Sequence, residues 1–202
     1  MTAASARALT PAVHQEPLPL DNRRGSVAMM LFIATEASLF VLMFASYWYL
    51  GNGNVVWPQD APPKLHYVLP MLGILILSSI VLHWGESQNK KRSYGAALAA
   101  LVGTIGLGLL FLGLSVLDYK EHLQTLSPRT DAYGSIFYTI TTLHAAHVTF
   151  GLCMLLYVLI LPGEDPRDRS PHFAYHNAAM YWHFVDVVWV FVVAILYVIP
   201  NL

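Results

Sequence analysis

Five long apolar runs separated by short polar segments dominate the chain. They cover approximately Ser26–Leu50, Leu65–Trp84, Tyr94–Leu117, Tyr133–Leu161 and Asn177–Ile199. Each run is long enough for a membrane-crossing helix, which needs about 20 residues to span roughly 30 Å of hydrocarbon. The alternating strands of about 10 residues that build membrane β-barrels do not fit these runs. The pattern therefore predicts an all-α fold, a polytopic transmembrane bundle of five helices.

The composition agrees with a membrane protein. Hydrophobic residues make up 56% of the 202 residues and charged residues only 11%, whereas soluble domains carry about 25% charged residues. The formal net charge of −1 argues against nucleic acid as a partner. A single cysteine, Cys153, excludes an internal disulfide and a Cys-rich metal site. We expect Cys153 to be a small buried hydrophobic residue.

Residues 1–25 differ from the rest of the chain. They are polar, contain Pro11, Pro17 and Pro19, and lack the apolar core of a signal peptide. This composition predicts a flexible N-terminal tail. Residues 26–202 have short loops, so we expect them to form one five-helix transmembrane domain.

Basic residues in the predicted loops indicate the orientation of the chain. The tail, the second loop and the fourth loop share one side and carry eight: Arg7, Arg23, Arg24, Lys90, Lys91, Arg92, Arg167 and Arg169. The other side carries three: Lys64, Lys120 and Arg129. The positive-inside rule therefore predicts a cytoplasmic N-terminus and an exterior C-terminus.

Small residues in the third run predict close helix packing. Ala99 with Gly103, and Thr104 with Gly108, are small-x-x-x-small pairs that let helices approach each other. A dimer face is the alternative, but we favour packing within the bundle.

Ionisable residues inside the predicted helices are the candidates for chemistry, because they are expensive in hydrocarbon and need partners. Counted at 1.5 Å per residue, Glu36 lies about 15 Å into the first helix, near the midplane. Asp186 and His147 lie at similar depth, His144 shares a face with His147, and His183 lies nearer the inner surface. We expect one buried hydrogen-bonded cluster, with His147 as a partner for Glu36. A purely structural role remains open for each residue.

Haem or metal binding by this chain has little support in the sequence. His147 and His183 differ in depth by about 12 Å, a poor match for a bis-histidine haem. His144 and His147 with Glu36 could hold a metal, yet the chain has no Glu-x-x-His repeat like those of carboxylate–histidine bundles. We therefore predict that the chain binds no metal.

Four segments resemble one family, subunit III of haem–copper respiratory oxidases of the cytochrome c oxidase type. The most specific is YWHFVDVVW at 181–189. TEASLF at 35–40 is similar to the family's Ser-Glu-x-x-Phe-Phe segment with its intramembrane glutamate. YGSIF at 133–137 and LHAAHV at 143–148 are similar to its Tyr-Gly-Ser and His-Gly-x-His-Val block, and Asp118 precedes Tyr119 where the family has Glu-Tyr.

The chain also departs from the family pattern. His176 stands where the family commonly has a glutamate, and Asp118 and Ser115 replace a usual glutamate and a frequent glutamine. Longer members carry two additional N-terminal helices, separated from the rest by a lipid-filled cleft. By this resemblance we expect the chain to begin at their third helix, like the short five-helix bacterial form.

The resemblance implies an accessory subunit, multi-pass in the bacterial cytoplasmic (inner) membrane. Subunit III of the family has no redox centre, packs on subunit I in a complex with subunit II, binds phospholipid, and supports stability and proton uptake during O2 reduction. Haem and copper would then lie in the partner subunits, with none bound by this chain. The resemblance also implies candidate lipid contacts at Tyr181, Trp182, Trp189 and Arg167.

Other functions remain open at this point. Relatives of the subunit serve quinol oxidases and some nitric oxide reductase systems, so the electron donor is undetermined. A small proton-coupled transporter would also place Glu36, Asp186 and histidines in a bundle, but should show inverted repeats or broken helices. A di-haem membrane cytochrome would need histidines matched in depth.

Overall fold

Five long helices build the protein. The computed structural model describes residues 22–52, 57, 64–124, 126, 129, 132–160 and 170–201. The helices are α1 (Asn22–Asn52), α2 (Val68–Lys90), α3 (Tyr94–His122), α4 (Ala132–Ile160) and α5 (Ser170–Val192); α5 continues through a π-helical turn (Val193–Val198) into a 3-10 turn (Ile199–Asn201). Within these ranges there is no strand, and all five helices are long and apolar enough to cross a membrane. The predicted all-α, five-helix fold is confirmed.

The helices extend beyond most of the apolar runs that predicted them. Helix α1 begins at Asn22, so residues 22–25 are helical and not part of a loose tail. Helix α2 begins three residues after Leu65 and continues six residues past Trp84, while α5 begins seven residues before Asn177. Hydropathy marks the part of a helix in hydrocarbon, and helices continue into the polar interface. Residues 1–21 of the predicted tail lie outside the described part of the chain.

A tight turn joins α2 to α3. Arg92 adopts a left-handed backbone conformation, with φ of 61°, and the amide of Ser93 donates to the carbonyl of Gln88 at 3.0 Å. The turn reverses the chain within three residues, because α2 ends at Lys90 and α3 begins at Tyr94. The two helices consequently pack along each other as an antiparallel pair.

Helix α5 occupies the centre of the bundle. It packs against α1, α2 and α4, while α3 packs against α2 and α4. Half of the most apolar stretch of α5 is buried inside the bundle, compared with 6% of the corresponding stretch of α1. Helix α1 is therefore peripheral, and most of its surface faces away from the other helices.

Small residues make room for Trp182, whose side chain is fully buried. A Cβ atom on Gly108 of α3 would lie 2.7 Å from both Leu152 and the Trp182 ring, and one on Gly151 of α4 would lie 3.0 Å from the same ring. The predicted Thr104–Gly108 pair thus packs inside the bundle. Ala99 and Gly103, in contrast, lie on an exposed face of α3.

The expectation that Cys153 is buried is wrong, because its side chain is exposed on α4. The physical reason lies in the membrane environment. In a membrane helix the lipid-facing side is as apolar as the packed side, so apolar neighbours do not reveal which way a residue points.

Candidate functional site

The alternating helices define two ends of the bundle. Helices α1, α3 and α5 begin at one end, called the N side below, and α2 and α4 finish there. The residues predicted to form one cluster lie between these ends. The structure divides them among three separate contacts between helices.

Glu36 and His147 link α1 to α4, as the sequence predicted. The His147 Nε2 atom lies 2.9 Å from Glu36 Oε2, and its Nδ1 atom lies 2.8 Å from the carbonyl oxygen of Leu143. Because a carbonyl only accepts, Nδ1 carries a proton. The bond to Glu36 therefore holds one further proton, shared between ring and carboxyl. The ring of Phe40 packs edge-on against the imidazole of His147, with 4.9 Å between the ring centroids, and shields this contact on one side.

His183 and Asp186 link α5 to α2 through a residue that the sequence reasoning missed. The hydroxyl of Ser79 donates to Oδ2 of Asp186, and its oxygen lies 2.7 Å from Nδ1 of His183. Ser79 is not ionisable and lies in an apolar run, where a serine is unremarkable. Two adjacent serines, Ser78 and Ser79, stand in an otherwise apolar run, and they are the sequence feature that could have indicated a polar contact of α2.

His144 belongs to neither of these contacts. Its Nε2 atom donates to the carbonyl of Val185 at 3.2 Å, and its ring stacks on Trp189 with 4.7 Å between centroids. His144 thereby joins α4 to α5 with only 1% of its surface exposed.

The expectation of a single cluster is therefore wrong. Residues of equal depth can point in different directions around a bundle, and the sequence gives depth more readily than direction. His147 faces α1, whereas Asp186 faces α2. Each contact satisfies buried polar groups and ties two helices together.

The candidate lipid contacts occupy different positions from those expected. Tyr181, Trp182 and Trp189 are exposed to only 1%, 0% and 2%, so their positions favour packing inside the bundle over contact with lipid. Trp182 also donates from Nε1 to the Ser78 hydroxyl at 3.0 Å. Arg167 lies outside the described residues.

Polar contacts at the two ends of the bundle were also missed. Away from the N side, Tyr197 donates to Oδ2 of buried Asp118 at 3.1 Å, and His122 Nδ1 lies 2.9 Å from the Asp118 carbonyl. The i, i+4 spacing of Asp118 and His122 places both side chains on one face of α3, which could have indicated this contact from the sequence. At the N side, Glu86 contacts both His176 and Lys90 at 2.8 Å. Glu86 lies beyond the predicted second run, so the apolar pattern assigns it to a loop.

A crevice of about 540 Å³ opens between α1, α4 and α5 in the N-side half of the bundle. Its walls are mainly apolar and include Met29, Phe150, Cys153, Tyr157 and Ala174. Within the described ranges, no three His, Cys, Asp or Glu side chains converge as metal ligands would. The absence of a metal in the functional protein stays a prediction.

Five membrane-crossing helices tied by buried polar contacts define an integral, multi-pass membrane protein. Residues 22–200 match the family model described as cytochrome c oxidase subunit III. The chain belongs to this family, whose members are accessory, non-catalytic subunits of haem–copper oxidases. The resemblance carried by residues 181–189 is thereby confirmed.

Bacterial relatives match most of the chain. It is 34% identical to "Cytochrome c oxidase subunit 3" of Synechocystis sp. over 175 residues, which are 85% of this chain and 74% of the relative. It is 31% identical to the protein of the same name from Bacillus subtilis, over 90% of this chain and 89% of the relative. The corresponding protein of Alkalihalophilus pseudofirmus is 29% identical, with 91% of each chain covered. The transporter and di-haem cytochrome alternatives are not favoured by these findings.

Proposed function

We propose that the chain is the non-redox subunit III of a cytochrome c oxidase, bound to the haem–copper subunit I in a complex that also contains subunit II. In this role it stabilises subunit I and supports its proton uptake. The family match over residues 22–200 carries the proposal. The structure supports it, because five ionisable residues inside the helices each take part in a contact between two helices: Glu36, His144, His147, His183 and Asp186.

The peripheral position of α1 leaves room for partners in the membrane. Leu31, Val41 and Leu42 are each more than 60% exposed. Such a surface suits lipid or another membrane helix and would be unfavourable in water. The phospholipid proposed for this subunit fits the crevice between α1, α4 and α5, whose apolar walls match an acyl chain.

The N side is proposed to be cytoplasmic, in the cytoplasmic membrane of a bacterium. Among the described residues, Arg23, Arg24, Lys90, Lys91 and Arg92 lie at that end, and Lys64, Lys120 and Arg129 lie at the other. The five-to-three count is weaker than in the full sequence, because Arg7 of the tail and the basic residues of the fourth loop lie outside the described ranges. The orientation therefore rests on the loop charges of the whole chain.

Affinity purification of the tagged chain from its native membranes in a mild detergent tests the association. We expect a haem-containing partner to co-purify, seen in the reduced-minus-oxidised spectrum, with O2 consumption from reduced cytochrome c. The untagged strain is the control. Recovery of the chain without haem, while oxidase activity elutes elsewhere, contradicts the proposal.

The lipid part has its own test. Ala174→Trp fills the crevice and should lower the phospholipid retained per complex, measured by mass spectrometry. Ala99→Trp adds the same ring to an exposed face of α3, away from the crevice, and is the matched control. Equal phospholipid retention in both variants and the parent contradicts lipid binding in the crevice.

A further inference from the structure

Ser79, His183 and Asp186 form a hydrogen-bonded trio between α2 and α5, and its geometry indicates where the protons lie. Ser79 donates its only hydroxyl proton to Asp186. Its oxygen must therefore accept from Nδ1 of His183, 2.7 Å away. The other ring nitrogen, Nε2, and Oδ1 of Asp186 are buried with no hydrogen-bond partner among the described residues. The trio can consequently take up one more proton, at Nε2.

We propose that this trio is a membrane-embedded site for one exchangeable proton, reached from the N side of the bundle. The proton enters at Nε2 of His183 and is stored on the carboxyl of Asp186. This use goes beyond joining two helices, and it does not depend on which subunit lies next to the chain.

The proton balance follows from the hydrogen bonds. Protonation of Nε2 turns the His183 ring into an imidazolium. The Nδ1–H bond then breaks as its proton moves to Ser79 Oγ, while the original Ser79 O–H bond breaks as its proton moves to Oδ2 of Asp186. The ring ends neutral with its proton on Nε2, the serine keeps one proton, and the carboxyl is neutral. Reversing these transfers releases the proton to the side from which it came.

A line of titratable groups on α2 lies between the trio and the N side. His83 follows Ser79 by four residues, is exposed, and has its ring centroid 6.3 Å from that of His183. This spacing is too long for a direct bond but can be bridged by one water. Glu86 lies one turn further along the same face of α2, and both His83 and Glu86 interact electrostatically with His183.

The end of this line lies at the surface of the bundle. Glu86 contacts His176 and Lys90, each at 2.8 Å, and the side chain of His176 is 45% exposed. Eleven residues separate Ser79 from Lys90, which is about 16 Å of helix at 1.5 Å per residue. The polar line thus runs from the end of α2 to the depth of Asp186.

The titratable groups described on the other helices are engaged elsewhere. On α4, His144 donates to the carbonyl of Val185 and His147 pairs with Glu36 of α1. Asp118, on α3, bonds Tyr197 at the opposite end of the bundle. Of the titratable groups described, those that face the trio therefore come from α2 and α5.

Infrared spectroscopy of the intact oxidase complex tests the proposal, because a protonated carboxyl has a C=O stretch distinct from that of a carboxylate. The difference between wild type and Asp186→Asn isolates the band of Asp186. We expect this band to grow as the pH falls and to shift in D2O. Absence of any Asp186-dependent carboxyl band across the pH range overturns the proposal.

Substitution of Ser79 tests the relay itself. Ser79→Ala removes the hydroxyl that joins the ring to the carboxyl, so protons can no longer pass between them along hydrogen bonds. We expect D2O exchange of the Asp186 band to slow about tenfold or more, which corresponds to a barrier higher by about 1.4 kcal/mol or more. Ser79→Thr keeps a hydroxyl and should exchange at the wild-type rate. Equal exchange rates in Ser79→Ala and wild type overturn the proposal, even where Asp186→Asn fails to assemble.

Glu86→Gln tests the entry from the N side. The variant should retain the Asp186 band but slow its exchange, and an unchanged exchange rate contradicts entry along this line. These outcomes can be distinguished from those that test the proposed function. Recovery of haem shows whether the chain associates with an oxidase, whereas the infrared band of Asp186 and its exchange rate test the proton site.

Discussion

Gly85 lies where α2 meets both α3 and α5, and the neighbours leave no room for a side chain. A Cβ atom at this position would lie 2.5 Å from Cβ of Ala100 on α3 and would collide with the hydroxyl of Tyr175 on α5. The Ala100 Cβ is fixed to the backbone of α3, so it cannot rotate away. Gly85→Ala therefore requires α2 and α3 to separate by about 1 Å to restore a normal carbon–carbon contact.

The expected destabilisation follows from three contributions. Overpacking in a well-packed core costs roughly 1–3 kcal/mol. Moving Tyr175 also weakens its hydrogen bond to the Leu82 carbonyl, 3.4 Å long, which contributes about 1 kcal/mol. Alanine has a higher helix propensity than glycine, which offsets about 1 kcal/mol of this loss. The net loss in free energy of unfolding is therefore about 1–3 kcal/mol.

Gly73→Ala is the matched control, because Gly73 lies in the same helix and, apart from its own stretch of helix, no atom of the described residues lies within 4 Å of its Cβ position. We expect this variant to be neutral or stabilised by up to about 1 kcal/mol. Unfolding in mixed micelles with increasing SDS, followed by loss of helical circular dichroism, compares both variants with the parent. If Gly85→Ala is as stable as Gly73→Ala, the close contact of α2 with α3 is refuted.

Three further experiments test the contacts and the orientation. Glu36→Ala strands its histidine partner and should lower the complex's thermal stability by roughly 1–3 kcal/mol; Glu36→Gln retains a hydrogen bond and should lose less, and equal losses contradict the pairing. Lys91→Cys should react with a membrane-impermeant maleimide only after the cytoplasmic side is opened, and labelling from outside intact cells reverses the orientation. Glu86→His and His176→Glu each remove the hydrogen bond between carboxylate and imidazole, whereas the double exchange restores a carboxylate–imidazole pair; a double-mutant cycle should show coupling of about 0.5–1 kcal/mol, and additivity contradicts a coupled pair.

The sequence predicted the number of helices and their approximate positions, because the thickness of hydrocarbon fixes the length of an apolar run. It did not predict where helices end. The stretch from Gly85 to Lys90 is polar yet helical, and it carries Glu86, the acid of the N-side contact. A window of apolar residues cannot detect helical turns that lie in the interface.

Pairing between helices was predictable only where depth alone selected the partner. Glu36 and His147 are ionisable groups at similar depth on different helices, and they do bond. Asp186 lies at a similar depth but bonds Ser79. The difference is set by the rotation of each helix about its axis, which depends on the packing of all five helices together. Glycine contacts such as that of Gly108 with Trp182 fix this rotation, and they are visible only in three dimensions.

The central position of α5 explains why residues 181–189 are so specific a sequence feature. Tyr181 packs between Phe32 of α1 and Phe150 of α4, whereas Trp182 bonds α2 and fills the space left by Gly108 of α3. Farther along, Asp186 bonds α2 again. The other four helices all contact this segment, and only part of its surface, including Val187, remains exposed. The segment therefore shows apolar residues all round instead of a stripe. Its polar residues are held by hydrogen bonds to particular helices. The same nine positions therefore determine both the packing of the bundle and several of its buried hydrogen bonds.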